Sequence, residues 1–298
     1  MAIVGKKNRF TLFDYLNYMF MIGLSLSVIY PILYLFFLSV STREGLAQAS
    51  SSILIWPQGF SWSAYQAFMH QSYIYTGYAY TIGRTVIGTF LAVLFMSLAG
   101  YALAKYIPYK KSITFFFIFT MFFNGGLIPT YLLIKNIGLI NNPLVYILAP
   151  PFLYNTFYML ILRNFFMTIP DSLEESAKMD GANDLRIFFT IMVPLAAPAI
   201  ATISLWVAVN HWNSWFDSII YMQSADKQVI QVHIRRLIIE QSAAMMSSTA
   251  SFFDKSNAPT GESTKAAAIL ITMIPILCVY PFVQRFFVKG VVMGAVKG

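Results

Sequence analysis

The amino-acid sequence predicts an all-α polytopic membrane protein with six transmembrane helices. Hydrophobic residues make up 58% of the 298 residues and charged residues 11%, at a mean hydropathy of +0.64. This composition is too apolar for a soluble domain of the same length. Six apolar stretches are also long enough to cross a bilayer, which takes roughly 20 residues per helix.

These stretches set the order of the predicted spans. They run approximately over residues 15–40, 80–104, 113–134, 144–162, 188–209 and 266–287. The first follows Lys6, Lys7 and Arg9 and precedes Ala47-Gln48-Ala49, an arrangement that resembles a signal peptide. Its apolar run is too long for that, because signal sequences carry an apolar region of about 7 to 15 residues. We therefore expect a retained membrane anchor.

The distribution of lysine and arginine predicts the orientation of the chain. With the N-terminus inside, most basic residues outside the long 211–265 stretch fall on the cytoplasmic side, namely Lys6, Lys7, Arg9, Lys105, Lys110, Lys111, Arg163, Lys178, Arg186, Arg285, Lys289 and Lys297. By the positive-inside rule, both termini and the polar segment 170–194 are then cytoplasmic. The net charge of +8 reflects this bias. The basic residues are dispersed and not interleaved with aromatics, so we expect no nucleic-acid partner.

One membrane domain is predicted to cover residues 1–298. Two hydrophilic stretches, 41–75 and 211–265, are expected on the extracytoplasmic side. The second is long, because loops beyond about 12 to 15 residues are usually functional or disordered. Its apolar pattern over residues 229–239 predicts a short helix. The single cysteine, Cys278, lies in the last span, so no internal disulfide is possible.

Several spans contain residues that interrupt a helix. Asn124-Gly125-Gly126, Pro150-Pro151 and the pair Pro194 and Pro198 fall within apolar stretches. Irregular backbone at membrane depth persists only where protein or water covers it. The breaks therefore indicate a cavity, although kinking against neighbouring helices explains each break equally well.

The predicted spans hold almost no ionisable side chain. Arg84 is placed at an outer end, where it is expected to reach the interface. An ion-coupled secondary transporter or channel subunit is the alternative function, and it would need a buried charge or a filter. His70, His211 and His233 are isolated and expected in solvated loops, and no metal-ligand spacing or P-loop sequence occurs. We expect no enzyme activity, no cofactor in this chain, and an energy source on another subunit.

The segment 170–194, P-D-S-L-E-E-S-A-K-M-D-G-A-N-D-L-R-I-F-F-T-I-M-V-P, is the most informative stretch. Ser172 and Glu175 form an S-x-x-E capping box that predicts a helix beginning near residue 173. Glu174 and Lys178 are spaced for an i,i+4 ion pair. Gly181 is expected to end this helix in a left-handed conformation, and Asn183 to cap a second helix that enters the membrane.

This spacing resembles the EAA loop of ATP-binding-cassette importer permeases, in which E-A-A, three residues, G and nine residues precede I-x-L-P. Here the loop is Glu175-Ser176-Ala177, Gly181 and Ile191, closed by Val193-Pro194. Ser176 and Val193 depart from the pattern but stay small or aliphatic. The resemblance implies that the loop docks into a cleft of an ATPase subunit. The residues assigned to this coupling are Glu174, Glu175, Ser176, Ala177, Asp180 and Gly181.

The resemblance extends over essentially the whole chain. Asn124 to Pro129, Asn136 to Ile140, Trp206 to Trp215 and Gly294 to Gly298 look like the maltose-type carbohydrate branch, and within it the oligosaccharide and polysaccharide subgroup. It implies the type I importer permease fold in the cytoplasmic membrane of a prokaryote. The implied partners are a second homologous permease subunit in a heterodimer, two ATPase subunits that hold ATP and magnesium, an extracytoplasmic solute-binding protein, membrane lipid and a carbohydrate substrate.

Aromatic rings beside amide side chains suit sugars, which have apolar faces and hydroxyl edges. The predicted substrate-path residues are Tyr154, Asn155, Trp206, Asn210, Trp212 and Asn213. An interfacial aromatic belt accounts equally well for Trp212 and Trp215.

Two further segments have open interpretations. Arg235 and Arg236 are predicted to contact the binding protein, with packing on the membrane surface as the alternative. The tail over residues 289–298 shows no helix pattern. It is expected to be a frayed end or, by the resemblance, to reach the interface between the ATPase subunits.

Overall fold

The chain forms helices in the order that the hydropathy pattern predicts. The computed structural model describes residues 11–48, 53–123, 125–149, 152–246 and 259–295. In the first half of the chain the helices are α1 Leu12–Val40, α2 Arg43–Gln48, α3 Ser63–Met69, α4 Ser72–Ala104, α5 Lys110–Phe122, α6 Leu127–Asn136, α7 Val145–Leu148 and α8 Thr156–Phe166.

The second half begins with short helices and ends with a long one. Its elements are α9 Asp171–Met179, α10 Asp184–Ile187, a π-helical turn Phe188–Met192, α11 Val193–Leu195, α12 Ala197–Asn213, α13 Phe216–Tyr221, a 3-10 turn Ala225–Lys227, α14 Ile230–Met246 and α15 Gly261–Ala295. Within the described ranges every regular element is helical, which confirms the all-α fold class.

Among the described residues, three helices are long and apolar enough to cross a membrane: α1, α4 and the Gly261–Val279 part of α15. Two bent pairs raise the number to five if each is one span. They are α5 with α6, at 108°, and the 184–195 stretch with α12, at 83°. The predicted span 144–162 is not one helix, because α7 and α8 are separate, and α8 is only about 16 Å long at 1.5 Å per residue. Six spans therefore stay a prediction.

The predicted break in the third span lies between α5 and α6. Gly126, with φ of 87°, precedes α6 in a conformation that glycine tolerates and other residues rarely adopt. Asn124 and Pro150-Pro151 lie outside the described residues. The other predicted break coincides with the bend before α12, where Ala196 stands between Pro194 and Pro198.

The chain divides into two units. One comprises residues 1–70 and 240–271, and a small core there includes Leu38, Leu54 and Ala266. The other comprises residues 71–239 and 272–298 and contains α4, α8 and α12. The single membrane domain that the sequence predicts stays a prediction.

Helix α4 is the central element of the larger unit. Its buried residues Ala92, Met96 and Leu103 belong to one core with α8, the π-helical turn and α12. Gly100 allows α8 to approach closely, because a Cβ there would lie 3.1 Å from the amide nitrogen of Arg163 and from the carbonyl oxygen of Met159.

Several predicted boundaries are wrong. The second span begins at Ser72 rather than at residue 80, so less of the 41–75 stretch is a loop. Most described residues of the 211–265 stretch are helical, in the end of α12, in α13, in α14 and in the start of α15. The tail is also helical as far as Ala295, where a helix of 35 residues ends. Its glycines are tolerated there because a long helix is already nucleated before them.

Candidate functional site

The segment 170–194 begins its first helix earlier than its sequence predicts. Helix α9 starts at Asp171, Pro170 occupies the N-cap position, and no side chain caps the helix. The predicted capping box of Ser172 and Glu175 is therefore wrong. The fixed φ of proline, here −59°, favours a start directly after Pro170, and Asp171 in the first turn favours the same start through the helix dipole.

Glu174 pairs with a residue outside the segment. Its carboxylate is buried and forms an ion pair with Lys105, which follows the last residue of α4. The predicted pair with Lys178 is wrong, since Lys178 lies 3.4 Å from Asp184 in an exposed pair instead. Burial lowers the pKa of the Lys105 ammonium, so its charge depends on the nearby carboxylate for compensation.

The turn between the two helices of the segment has the predicted geometry. Gly181 has φ of 79°, in the left-handed region. Asn183 precedes α10, and its Oδ1 accepts a hydrogen bond of 2.8 Å from the backbone amide of Arg186. Both predictions are confirmed, because turn and cap depend on local residues only.

The assigned coupling residues divide into two groups. Glu175, Ser176, Asp180 and Gly181 are exposed and form the free side of α9 and its turn. Ala177 is half-buried and packs against the core of the larger unit, and Glu174 is buried. Four of the six residues are therefore exposed on this subunit, where a partner protein can contact them.

Asparagines and a tyrosine line a cavity between α8 and α12, which we call the amide cavity. Its volume is about 410 Å³, and its lining residues are Met96, Phe152, Asn155, Tyr158, Val207, Asn210, His211, Asn213 and Ser214. Asn210 donates a hydrogen bond of 3.2 Å to the hydroxyl of Tyr158. The Oδ1 of Asn155 caps α8 by accepting from the amides of Phe157, at 3.0 Å, and Tyr158, at 3.3 Å. The cavity offers amide, hydroxyl and imidazole groups, and none of the described residues that line it carries a carboxylate.

The predicted aromatic residues lie beside this cavity rather than in its lining. Tyr154 packs on Phe117, with the ring centroids 5.6 Å apart. Trp206 packs on Tyr158 at 5.7 Å, so it supports a lining residue. Trp212 is buried and lines a different, apolar cavity of about 330 Å³.

Another cavity lies beside the segment 170–194. It has a volume of about 790 Å³ and lies between the end of α4, the start of α5 and α9, with Lys105, Lys110, Asp171, Glu174 and Lys178 among its lining residues. Charged groups of both signs line it. Within the described ranges no group of three or more His, Cys, Asp or Glu side chains is placed as metal ligands would be.

The side chain of Arg84 is buried within the protein, contrary to the prediction that it extends to a membrane interface. Its side chain is 1% exposed and its Nη2 lies 2.9 Å from Oδ2 of Asp217. The guanidinium also lies over the rings of Tyr146 and Phe152, at 4.8 Å and 4.7 Å from their centroids. A buried carboxylate and two aromatic faces provide the compensation that an interface would otherwise provide.

Two of the three histidines are buried, contrary to the prediction of solvated loops. His211 is 1% exposed, packs on Phe152 at 5.2 Å and lines the amide cavity. His233 is 6% exposed and stacks on Tyr73 at 4.5 Å. His70 is exposed, as predicted.

Arg235 and Arg236 are both exposed on α14. The guanidinium of Arg235 lies 3.8 Å from the ring centroid of Trp215, in a cation–π contact. Trp215 is therefore packed against this segment and is not a free belt residue.

Sequence reasoning missed Tyr158, His211, Ser214, Lys105 and Asp217. Tyr158 follows Asn155 at helical spacing, and Ser214 follows Asn210 in the same way, so a search along each helix face would have found them. Arg84 is the single charged residue of α4, and an ionisable residue in a span predicts a partner.

Comparison with known proteins shows which family the chain matches. The family described as binding-protein-dependent transport system inner membrane component matches residues 85–293, more than half of the chain. The chain belongs to this family. It is therefore a multi-pass inner-membrane transport permease and not an enzyme, and it has the type I importer permease fold.

Individual relatives and solved structures show which transport proteins the chain is similar to. The polygalacturonan/rhamnogalacturonan transport system permease protein YtcP of Bacillus subtilis (strain 168) is 40% identical over 98% of this chain and 100% of its own. Protein LplC of the same organism is 35% identical over 96% and 95%. A bacterial ABC transporter that imports the acidic polysaccharide alginate includes a chain of 32% identity and TM-score 0.82, with coverage of 96% of this chain and 100% of that one.

A second solved structure shares the fold at lower identity. It is a bacterial alginate ABC transporter in complex with an alginate pentasaccharide-bound periplasmic protein, and the matching chain has 15% identity, TM-score 0.52 and coverage of 91% and 93%. The permease family excludes an ion-coupled carrier. The sequence argument against that alternative was incomplete, because Arg84 and Asp217 are buried charges.

Proposed function

We propose that this permease is one half of the translocation pathway of an ATP-driven carbohydrate importer, which takes oligosaccharides or polysaccharide fragments. The observation that carries the proposal is the amide cavity. Its amide, hydroxyl and imidazole groups can exchange hydrogen bonds with sugar hydroxyls, and its lining, as far as the structure describes it, includes no carboxylate that would repel an acidic sugar. The relatives named for polygalacturonan and rhamnogalacturonan, and the alginate importer, support this substrate class.

The proposal includes the partners that the resemblance implies. A second homologous permease completes a heterodimer, two ATPase subunits bind ATP and magnesium, and an extracytoplasmic binding protein delivers the sugar. The lipid bilayer surrounds the apolar helices, and both termini lie in the cytoplasm. The exposed residues Glu175, Ser176, Asp180 and Gly181 form the ATPase contact, while Glu174 and Ala177 hold α9 against the permease core.

Reconstitution tests the proposed function. The tagged permease is purified with its co-purifying subunits and placed in liposomes that contain ATP, and uptake is measured for labelled neutral and uronic acid oligosaccharides in the presence of the binding protein. We expect ATP-dependent uptake of one of these classes. Purification without an ATPase, or uptake that does not depend on ATP, would contradict the proposal.

A double variant tests the cavity itself. Asn210→Leu with Asn213→Leu removes two amides from the lining, and we expect uptake to fall while the complex still assembles. Asn136→Leu is the matched control, because Asn136 is exposed at the end of α6 and lies outside the cavity. Equal uptake by the double variant and the control would remove the cavity from the path.

A further inference from the structure

Two charged residues lie in helix α4 or directly after it. Arg84 is the single charge within the helix, and Lys105 follows its last residue. The residues 85–104 between them carry no charge. This interval is about 30 Å long at 1.5 Å per residue, which equals the thickness of the hydrocarbon core of a bilayer. The two charges therefore lie about one hydrocarbon-core thickness apart along the direction of α4.

At one end, Arg84 connects α4 with α13. Its ion pair with Asp217 is buried on both sides, at 1% and 8% exposure. The other carboxylate oxygen of Asp217 accepts a hydrogen bond of 2.7 Å from Ser214. Loss of one member of a buried pair leaves an uncompensated charge, so the two elements move together or the pair breaks at a high cost.

The same end of α4 also holds the start of α14. Thr81 accepts a hydrogen bond of 3.0 Å from the amide of Ile230. Ser218 accepts one of 3.2 Å from the amide of Val229 and shares one of 2.7 Å with the hydroxyl of Tyr146. All of these groups are buried. The stretch 214–239, with Arg235 and Arg236, is thus fixed to the Arg84 end of α4.

At the other end, Lys105 connects α4 with α9. Its partner Glu174 is buried on α9, directly before the exposed residue Glu175. The Lys105 ammonium also lies 4.8 Å from the ring centroid of Tyr101, and Tyr101 packs on Phe188 at 5.3 Å. The segment 170–194 is thus fixed to the Lys105 end of the same helix.

We propose that α4 mechanically couples the stretch 214–239 to α9 in this permease. It conveys movement between the stretch 214–239 and α9 through two ion pairs, the buried pair Arg84–Asp217 and the partly buried pair Lys105–Glu174, whose members act as positioning residues. The inference rests on the proposed function, in which these two segments contact the binding protein and the ATPase. Because α4 is an unbroken helix of 33 residues, a displacement at one end reaches the other without a hinge.

The test uses the complete complex in lipid bilayers. Basal ATPase activity is measured first, then its stimulation by sugar-loaded binding protein. Lys105→Glu and Glu174→Lys each place two like charges together, and the double variant restores opposite charges. We expect each single variant to lower the stimulation ratio at least about fivefold, the lower range of typical coupling effects, and the double variant to restore it. Arg84→Asp and Asp217→Arg form the same cycle at the other end.

A second variant covers the case in which the single changes prevent assembly. Lys105→Met with Glu174→Gln removes both charges and leaves no uncompensated one, so the complex should assemble with lowered stimulation. Lys178→Gln is the matched control, because it breaks only the exposed pair with Asp184 and such pairs contribute little.

The outcomes separate this inference from the proposed function. Either of two results would overturn the proposed coupling through α4. One is wild-type stimulation in the double neutral variant, and the other is a charge-swap variant that assembles without restoring the stimulation ratio. A wild-type complex whose ATPase activity does not respond to the binding protein would instead overturn the proposed function. This result is seen in the wild type alone, so it does not depend on any of the variants.

Discussion

The imidazole of His211 lies directly against Gly88 of α4. A Cβ atom at Gly88 would come 2.6 Å from Cε1 and 2.7 Å from Nε2 of the ring. Glycine is therefore required for the close approach of α12 to α4 at this level. Since His211 also lines the amide cavity, the absence of a side chain at Gly88 helps to set the shape of the proposed sugar path.

Gly88→Ala should displace His211 and lower uptake. We expect a stability loss of about 1 to 3 kcal/mol, as for overpacking of a well-packed core. Gly83→Ala is the control, because Gly83 lies in the same helix with nothing within 4 Å of its Cβ position. Thermal unfolding and sugar uptake of both variants check this. If the two variants behave alike, the contact with His211 has no influence on transport.

Gly181→Leu should leave the permease inserted but abolish docking of the ATPase. The left-handed φ of 79° disfavours a side chain, and the cost for a residue with a Cβ is roughly 1 to 2 kcal/mol. Gly181→Asn separates backbone from surface effects, because asparagine tolerates this conformation. We expect Asn to retain more ATPase in a pull-down from membranes than Leu. Full retention and wild-type uptake with Leu would show that the turn is not at the interface.

Asn155 has two roles, which different substitutions separate. Its Oδ1 caps α8, while the residue also lines the amide cavity. Asn155→Ala removes both and should cost about 1 kcal/mol of stability for the lost cap. Asn155→Ser keeps a capping oxygen and should have near wild-type stability with lowered uptake. Normal uptake in the Ser variant would assign Asn155 to capping alone.

The sequence predicts those parts of the fold that depend on neighbouring residues. The left-handed turn at Gly181 and the cap at Asn183 are local, and both are confirmed. The start of α9 was misplaced because Pro170 and Ser172 are competing start signals two residues apart, and the structure uses the first. Hydropathy found the apolar stretches, but it does not report how α7 and α8 divide one of them.

Contacts between distant parts of the chain could not be predicted in this way. Glu174 has Lys178 at ideal helical spacing, yet the tertiary fold places Lys105 beside it. Asp217 lies in a stretch that composition marks as a loop, so nothing local indicates a partner for Arg84. The asparagines of the amide cavity were predicted because amides beside aromatic residues suit sugars, whereas His211 was misplaced because a lone histidine has no periodic signal.

Burial of His233 predicts sensitivity to acid. Burial and the nearby Arg236 lower the pKa of His233 in the folded protein. The unfolded chain binds a proton near its ordinary pKa of about 6.5, so stability from this group is present above that pH and is lost as the pH falls below it. His233→Phe keeps the stacking on Tyr73 and removes the titration. We expect the unfolding temperature of this variant to fall less between pH 7 and pH 5 than that of the wild type. The reason is that one group fewer takes up a proton when the variant unfolds. An identical fall would exclude His233 as the source.

Arg235 and Arg236 should differ in their contribution to binding-protein contact. Arg235 is already engaged on Trp215 at 3.8 Å, so its loss affects packing of the 214–239 stretch as well as its charge. Arg236→Glu should therefore give the cleaner effect, which is weaker stimulation of ATPase activity by the binding protein, with basal activity unchanged. Screening makes an exposed charge contact salt-dependent, because the Debye length falls from about 10 Å at 0.1 M salt to about 3 Å at 1 M. The difference in stimulation between wild type and Arg236→Glu should accordingly shrink as the salt concentration rises.

Arg235→Lys keeps the charge but not the planar stacking, and it should retain the salt dependence of the wild type. Equal stimulation of wild type and Arg236→Glu at low salt would leave packing on the membrane surface as the role of this helix face.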